Sequence, residues 1–325
     1  MTDYGCPGFK WSGLAAGIKN NGEKDLGLIC ADHPVNAAAV FTQNRIQAAP
    51  VVLDAERIKS GRCQAVLVNS GNANCCTGDQ GMADARAMAA NMAAALNIDE
   101  ELVLVASTGV IGAPLPMATI NQGIPETVSR LSERGLADFA DSIITTDKTP
   151  KVVMDRATMP DGNEFTIAAV AKGAGMIRPD MATMLCFVCT DAQAQTDVLA
   201  QALTAATKQS FNRITVDGDT STNDTVILMA SGVSAARVEF DAEKQVFQRC
   251  LDVILLTLAK MMVKDGEGAT KMIEVVVTGA ESDADAHQAA ETVAHSPLVK
   301  TAFFGADANW GRIIAAIGRS KIAFN

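Results

Sequence analysis

Short apolar runs bounded by Gly, Pro, Asn and Asp alternate along this chain with longer alanine-rich stretches of helical spacing. Apolar runs of four to eight residues between turn formers read as strands, and the longer amphipathic stretches read as helices. The pattern predicts strands over residues 13–18, 26–30, 37–42, 65–68, 102–106, 184–188, 226–230 and 271–278. Asp32-His33-Pro34 reads as a turn between the second and third of these. Residues 152–158 and 165–171 read as a hairpin around Pro160-Asp161-Gly162-Asn163. Helices are predicted over 54–60, 79–96, 197–209 and 242–262, with helical segments from Pro116 to residue 144. Thr77 reads as the N-cap of the alanine-rich helix. Beyond residue 278 the pattern alternates helix and short strand. Strand-rich runs with helices grouped between them predict an α+β layered sandwich, not a strictly alternating doubly wound sheet. No linker, low-complexity tract or clear repeat divides it.

One stretch stands apart from this rhythm. In KGAGMIRPDMATMLCFVCTD, residues 172–191, a Gly- and Pro-punctuated loop runs into a short apolar strand. Thr183 sits at the junction, preceded by the small Ala182. That arrangement suits self-cleavage of the Ala182–Thr183 bond. The freed threonine would carry a nucleophilic hydroxyl and, on the same residue, an α-amine base that titrates near pH 7.7–8. A β-branched residue that merely fills a strand has the same local pattern.

Composition narrows the function. The 325 residues are 48% hydrophobic and 20% charged, enough apolar content for a sizeable core. Aromatics are only 4%, so that core is built from Ala, Val, Ile, Leu and Met. A net charge of −10 argues against a nucleic-acid groove and against an anionic membrane surface. The N-terminal MTDYGCPGFKW has no apolar signal core, and residues 253–263 are too short to span a bilayer. Most of the eight cysteines stand in or beside apolar runs, which predicts reduced thiols and a cytoplasmic location. Cys186 and Cys189 form a CxxC, but residues three apart in a strand face opposite ways, so no zinc site is expected.

Only three histidines are present, with no GxSxG elbow, HExxH or Walker A sequence. A nucleophile that brings its own amine suits such a chain. Thr108-Gly109 can form an oxyanion hole, a glycine N–H and a threonine hydroxyl being its donors; a plain strand-end turn is the alternative. Asp217, Asp219 and Asp224 lie in a loop dense in oxygen donors, read as an Asx-turn network in preference to a cation site. Lys172 and Glu267 flank glycines, as a cation and an anion for an amino-acid substrate would.

Ten motifs, in order over nearly the whole chain, resemble the ornithine acetyltransferase family (glutamate N-acetyltransferase, the bifunctional enzyme of arginine biosynthesis). They are FTQNRI (41–46), VNSGNAN (68–74), STGVIG (107–112), TTD (145–147), KGAGM (172–176), MATML (181–185), FNR (211–213), DGDTSTND (217–224), DGEGATK (265–271) and NWGR (309–312). The resemblance implies an N-terminal-nucleophile-like sandwich of the ornithine acetyltransferase/DmpA type. It implies an α chain, 1–182, and a β chain, 183–325, produced by cleavage between Ala182 and Thr183. Thr183 would be the nucleophile, Thr108 and Gly109 the oxyanion hole, and Thr146, Lys172, Thr183 and Glu267 the substrate contacts. Acetyl would pass from N-acetylornithine to glutamate through an acetyl-threonine ester, in ping-pong fashion. Some family members also use acetyl-CoA, which makes it a candidate co-substrate; no other cofactor and no metal is implied. The expected assembly is a dimer of αβ heterodimers. An amidohydrolase or aminopeptidase with the same nucleophile, or an inactive truncated chain, are the competing readings. Two departures stand out. Asp180 occupies a position where many members have asparagine. Members also continue for several tens of residues past the position of Asn325, with an asparagine and a threonine that close the substrate site.

Overall fold

The computed structural model describes residues 5–178 and 184–322. Its strands, in chain order, are β1 (Phe9–Leu14), β2 (Leu26–Phe41), β3 (Arg62–Asn72), β4 (Val103–Val110), β5 (Lys151–Thr158), β6 (Glu164–Lys172), β7 (Leu185–Thr190) and β8 (Thr225–Ala230). They join in the order β4-β3-β2-β8-β7-β6-β5, with β1 beside β2. The β3–β4 and β7–β8 pairs are parallel; the rest are antiparallel. The helices are α1 (Ala49–Arg57), α2 (Gly78–Leu96), α3 (Met117–Ser129), α4 (Leu136–Ile143), α5 (Thr196–Gln209), α6 (Asp241–Lys264), α7 (Asp283–Ala294), α8 (Pro297–Phe304) and α9 (Trp310–Gly318). No described helix is long and apolar enough to cross a membrane.

Strands β3, β4, β6, β7 and β8 are buried along nearly their whole length, so both of their faces must be covered. Alternation along each strand sorts its residues into different layers. Ile167, Ala169, Cys186, Val188 and Leu228 pack against α5 and α6 in one apolar cluster. Their neighbours Ala168, Val170, Phe187 and Ile227 turn the other way, into a cluster shared with Val66, Val68, Leu104 and Ala106 of β3 and β4. The opposite faces of β3 and β4, carrying Ala65, Leu67, Val103 and Val105, pack on α2 and α3. The order is therefore helices, one arm of the sheet, the other arm, helices, the layered sandwich that the sequence predicts. Helix α4 inserts Leu136, Phe139 and Ile143 into the middle layer. There Phe139 stacks edge-on with Trp11 at 5.5 Å and with Phe187 at 5.4 Å. Cys186 and Cys189 do fall on opposite faces of β7, in different clusters.

Strand β2 makes the corner at which the one eight-stranded sheet folds over on itself. Its first half pairs with β1 and β3, its second half with β8, and its register with β3 slips between Cys30 and Val35. Asp32-His33-Pro34 lies within that irregularity, so the predicted turn is instead a bulge in one continuous strand. A bulge bends a strand without reversing it. The first strand is also displaced, to Phe9–Leu14, because its partner is β2 and not the loop that follows it.

The segment 271–278 is not a strand, nor is any described stretch after residue 278. It is rich in apolar and β-branched residues, yet Met272, Ile273 and Val276 are exposed and no described strand lies alongside. A strand exists only with an edge to pair to, and apolar composition does not supply one.

Candidate active site

Four loops meet at the ends of β3, β4, β6 and β8. The polar run after β3 is the first. Strand β3 extends through it to Asn72, and its side chains tie the strand ends together. Ser107 Oγ donates to Asn69 Oδ1 at 2.6 Å. The Asn223 amide, from the loop before β8, donates to the carbonyls of Ala73 (2.7 Å) and Ser107 (2.8 Å). Thr108, Gly109, Ile111, Met176, Thr222 and Asn223 are among the residues that line a narrow crevice at this junction.

Gly109 is at φ +134°, a conformation that disfavours any side chain. A Cβ there would meet Gly71 C at 2.3 Å and Asn72 N at 2.5 Å, both backbone atoms of the paired strand. The strand end carrying Thr108 can approach β3 this closely only with glycine at 109.

Lys172, at the end of β6, is buried and donates to Thr108 Oγ1 at 3.0 Å and Thr145 Oγ1 at 2.9 Å. An ammonium has donors and no acceptor, so Thr108 Oγ1 must accept from it. The Thr108 hydroxyl proton is thereby left to point elsewhere, as an oxyanion donor requires. Burial pushes the Lys172 ammonium below its ordinary range; Lys151 and Lys19 add to that, while Asp147 and Asp224 oppose it.

Behind Lys172 lies a set of buried charges. Asp147 Oδ1 accepts from Lys151 Nζ and from Gly173 N, both at 2.6 Å. Lys151 also donates to Asp265 Oδ2 at 2.6 Å, and the Lys148 amide reaches that same oxygen at 3.0 Å. Burial favours a neutral Asp147, but Lys172 and Lys151 outweigh it and hold the carboxyl below its usual range. Two residues past Asp265, Glu267 returns to the same rim. Thr146 Oγ1 donates to Glu267 Oε1 at 2.6 Å, and Glu267 N donates to Ala174 O at 2.8 Å. Gly175 admits that carboxylate, since a Cβ there would lie 2.6 Å from Glu267 Oε1.

Ala182 and Thr183 lie outside the described residues, as does Asp180. Their chain neighbours are tightly held. Met176 N and Ile177 N donate to the Asp217 carboxylate at 2.6 and 3.0 Å. Met184 N donates to Asp224 Oδ1 at 2.9 Å, and Thr225 N donates to Met184 O at 3.1 Å. Asp224 is fully buried, which raises its carboxyl well above the usual range despite the Met184 amide and Lys172. Asp217 Oδ1 also accepts from Asp219 N, an Asx turn. Two of the three carboxylates of this loop, Asp217 and Asp224, are thus engaged with backbone amides, and among the described residues no cluster could hold a metal ion.

The structure therefore brings Thr108, Gly109, Thr146, Lys172 and Glu267 to one rim. Sequence reading missed Asp147, Lys151, Asp265, Asn223 and Asp224 as parts of it. Asp147 and Lys151 carry the i, i+4 spacing of an ion pair, but Pro150 between them removes the helix that would make that spacing meaningful. Asp265 is remote in sequence and gives no such signal.

Comparison with known proteins bears on the family of the chain. The arginine biosynthesis bifunctional protein ArgJ of Geobacter sulfurreducens is 54% identical over 315 residues, covering 96% of this chain and 80% of that protein. A crystal structure of ArgJ from Bacillus halodurans superposes with a TM-score of 0.51 at 41% identity, over 54% of this chain and 91% of that one. The ornithine acetyltransferase of Mycobacterium tuberculosis, solved with ornithine, gives a TM-score of 0.51 at 39% identity, over 55% and 96%. The model of the ArgJ family matches residues 10–325, and with these relatives it establishes that the chain belongs to the ArgJ family.

Proposed function

We propose that this chain cuts itself between Ala182 and Thr183 and then transfers acetyl from N-acetylornithine to glutamate, in arginine biosynthesis. The observation that carries the reading is the meeting of Thr108, Gly109, Lys172, Thr146 and Glu267 at one rim, in a chain of this family. Residue 183 is covalently next to Met184, which Asp224 and β8 hold. In the cut, Thr183 Oγ attacks the Ala182 carbonyl and the peptide C–N bond breaks, leaving an ester and a free Thr183 amine; water then hydrolyses the ester to a carboxylate at 182 and the Thr183 hydroxyl. The pieces are an α chain, 1–182, and a β chain, 183–325. The lengths of the matched crystal chains support this division. Taking 54% of 325 and dividing by 0.91 gives about 193 residues for one, and 315 divided by 0.80 gives about 394 for the Geobacter protein.

In the transfer, the Thr183 amine takes the hydroxyl proton as Oγ attacks the acetyl carbonyl. The Gly109 N–H and the Thr108 hydroxyl receive the developing oxyanion. The proton passes to the departing amine, ornithine leaves, and the glutamate α-amine attacks the acetyl-threonine ester. Lys172 supplies the cation for a substrate carboxylate, and Glu267, held by Thr146, the anion for an ammonium. The enzyme works in the cytoplasm as a dimer of αβ heterodimers.

Intact mass spectrometry of wild type and Thr183→Ala tests the reading. Wild type should give two chains, the second starting at Thr183, and should move acetyl from N-acetylornithine to glutamate; Thr183→Ala should stay in one piece and be inactive. An uncut wild type that is fully active sinks the mechanism. Acetate release without glutamate would mark a hydrolase instead.

A further inference from the structure

The buried charges behind Lys172 do not pair off evenly. Lys151 is in contact with two carboxylates, Asp147 and Asp265, each at 2.6 Å. Asp265 alone is enough to balance Lys151. Asp147 is then a surplus anion, and Lys172 is the cation without a close one; Lys172 Nζ stands 3.9 Å from Asp147 Oδ2. The side chains of Asp147, Lys151 and Lys172 are all at least 95% buried, so water does little to stabilise any of these charges. Without a nearby anion, an ammonium held by two threonine hydroxyls at this depth would lose its proton. A neutral amine can accept a hydrogen bond. The Thr108 hydroxyl would then turn its proton to Lys172 and away from the crevice.

We propose that Asp147 is a positioning residue that keeps Lys172 an ammonium, so that Thr108 Oγ1 accepts from Lys172 and presents its own proton to the reacting carbonyl. Lys151 acts in the opposite sense. It occupies Asp147 Oδ1 and adds a second positive charge near Lys172. The other charged groups facing Lys172 are Asp224, from the loop before β8, and Lys19, from the loop after β1. The same cluster joins the segments on either side of the proposed cut, since Asp147, Lys151 and Lys172 precede residue 183 and Asp265 follows it. This inference rests on the reading of Lys172 and Thr108 as parts of the acetyl-transfer site.

The test follows the Lys172 resonance directly. Protein labelled with 13Cε-lysine is titrated by NMR, and the Lys172 signal is identified by its loss in Lys172→Arg. Asp147→Asn should lower the Lys172 titration midpoint by about one pH unit or more, the usual effect of losing an opposite charge at this range. Lys151→Met should raise it. An unmoved midpoint in Asp147→Asn overturns the proposal. If that variant does not fold, Lys151→Met decides: a midpoint that stays or falls overturns it equally. Acetyl transfer measured on the same samples separates the two readings. A lowered midpoint with undiminished transfer leaves Asp147 as the keeper of Lys172's proton but removes Lys172 from the reaction, which overturns the proposal's catalytic half. A lowered midpoint with kcat reduced and restored by Asp147→Glu supports both.

Discussion

Gly109→Ala places a methyl group where the structure has no space for it. Two costs add. The first is conformational: φ of +134° lies in a region that essentially only glycine uses, at about 1–3 kcal/mol for a side chain. The second is steric. The new Cβ would stand 2.3 Å from Gly71 C and 2.5 Å from Asn72 N, and both are backbone atoms that cannot rotate away. Strands β3 and β4 must separate locally, at about 1–3 kcal/mol for such overpacking. The sum is about 2–6 kcal/mol. With an unfolding entropy of about 2.1 cal/mol/K per residue, each kcal/mol shifts the Tm of a chain this long by about 1.5 °C. Scanning calorimetry should show a drop of about 3–9 °C. Gly112→Ala is the control three residues away. It shares a positive φ, +84°, but a Cβ there meets nothing within 4 Å. Only the conformational cost of about 1–2 kcal/mol remains, or about 2–3 °C. Activity should separate the two further, because displacing β4 moves Thr108 and the Gly109 N–H away from the crevice. Equal Tm losses in both variants would refute the claim that close strand approach, and not φ alone, selects glycine at 109.

Thr108→Val keeps the shape and removes the hydroxyl; kcat should fall about 10²-fold with KM little changed, as for one oxyanion donor, and a pure KM effect would place Thr108 outside the reaction. Phe139→Ala empties the centre of the Trp11–Phe139–Phe187 stack and should cost about 3–5 kcal/mol in urea unfolding; a loss under 1 kcal/mol would contradict its place in the middle layer. Asp224 has a folded-state carboxyl raised above its unfolded value of 3.8, so the native state holds its proton more tightly and stability falls as pH rises from 3.8 through the folded value. Asp224→Asn lacks that slope, and its stability relative to wild type should improve between pH 4 and pH 7 by urea unfolding; a gap that does not change with pH would refute the assignment. Of the free cysteines Cys76 is exposed and the others are buried or half-buried, so one fast-reacting thiol towards a disulfide reagent is expected, lost in Cys76→Ala.

Much of this protein is legible from residue order because local rules act alone there. The hairpin of β5 and β6 follows from Pro160 to Asn163 between two apolar runs, and α2, α5 and α6 follow from helical spacing. The opposite facing of Cys186 and Cys189 follows from the two-residue period of a strand. Thr108-Gly109, Lys172 and Glu267 are visible as chemistry beside glycines, and Thr146 through the motifs shared with a family.

Other features depended on partners remote in the chain. Asp32-His33-Pro34 has the composition of a turn, yet it stays within β2 because β1, β3 and β8 pair to either side of the bulge. The apolar, β-branched segment 271–278 gains no pairing edge among the described residues, so its strand propensity goes unused. The charge cluster joins Asp147 and Lys151 to Asp265, more than a hundred positions later, and nothing in the intervening order announces it. Periodicity specifies which face of an element is apolar. Which elements those faces and edges meet, and which buried charges must then balance, is set only when the sheet folds over on itself and excludes water from between its arms.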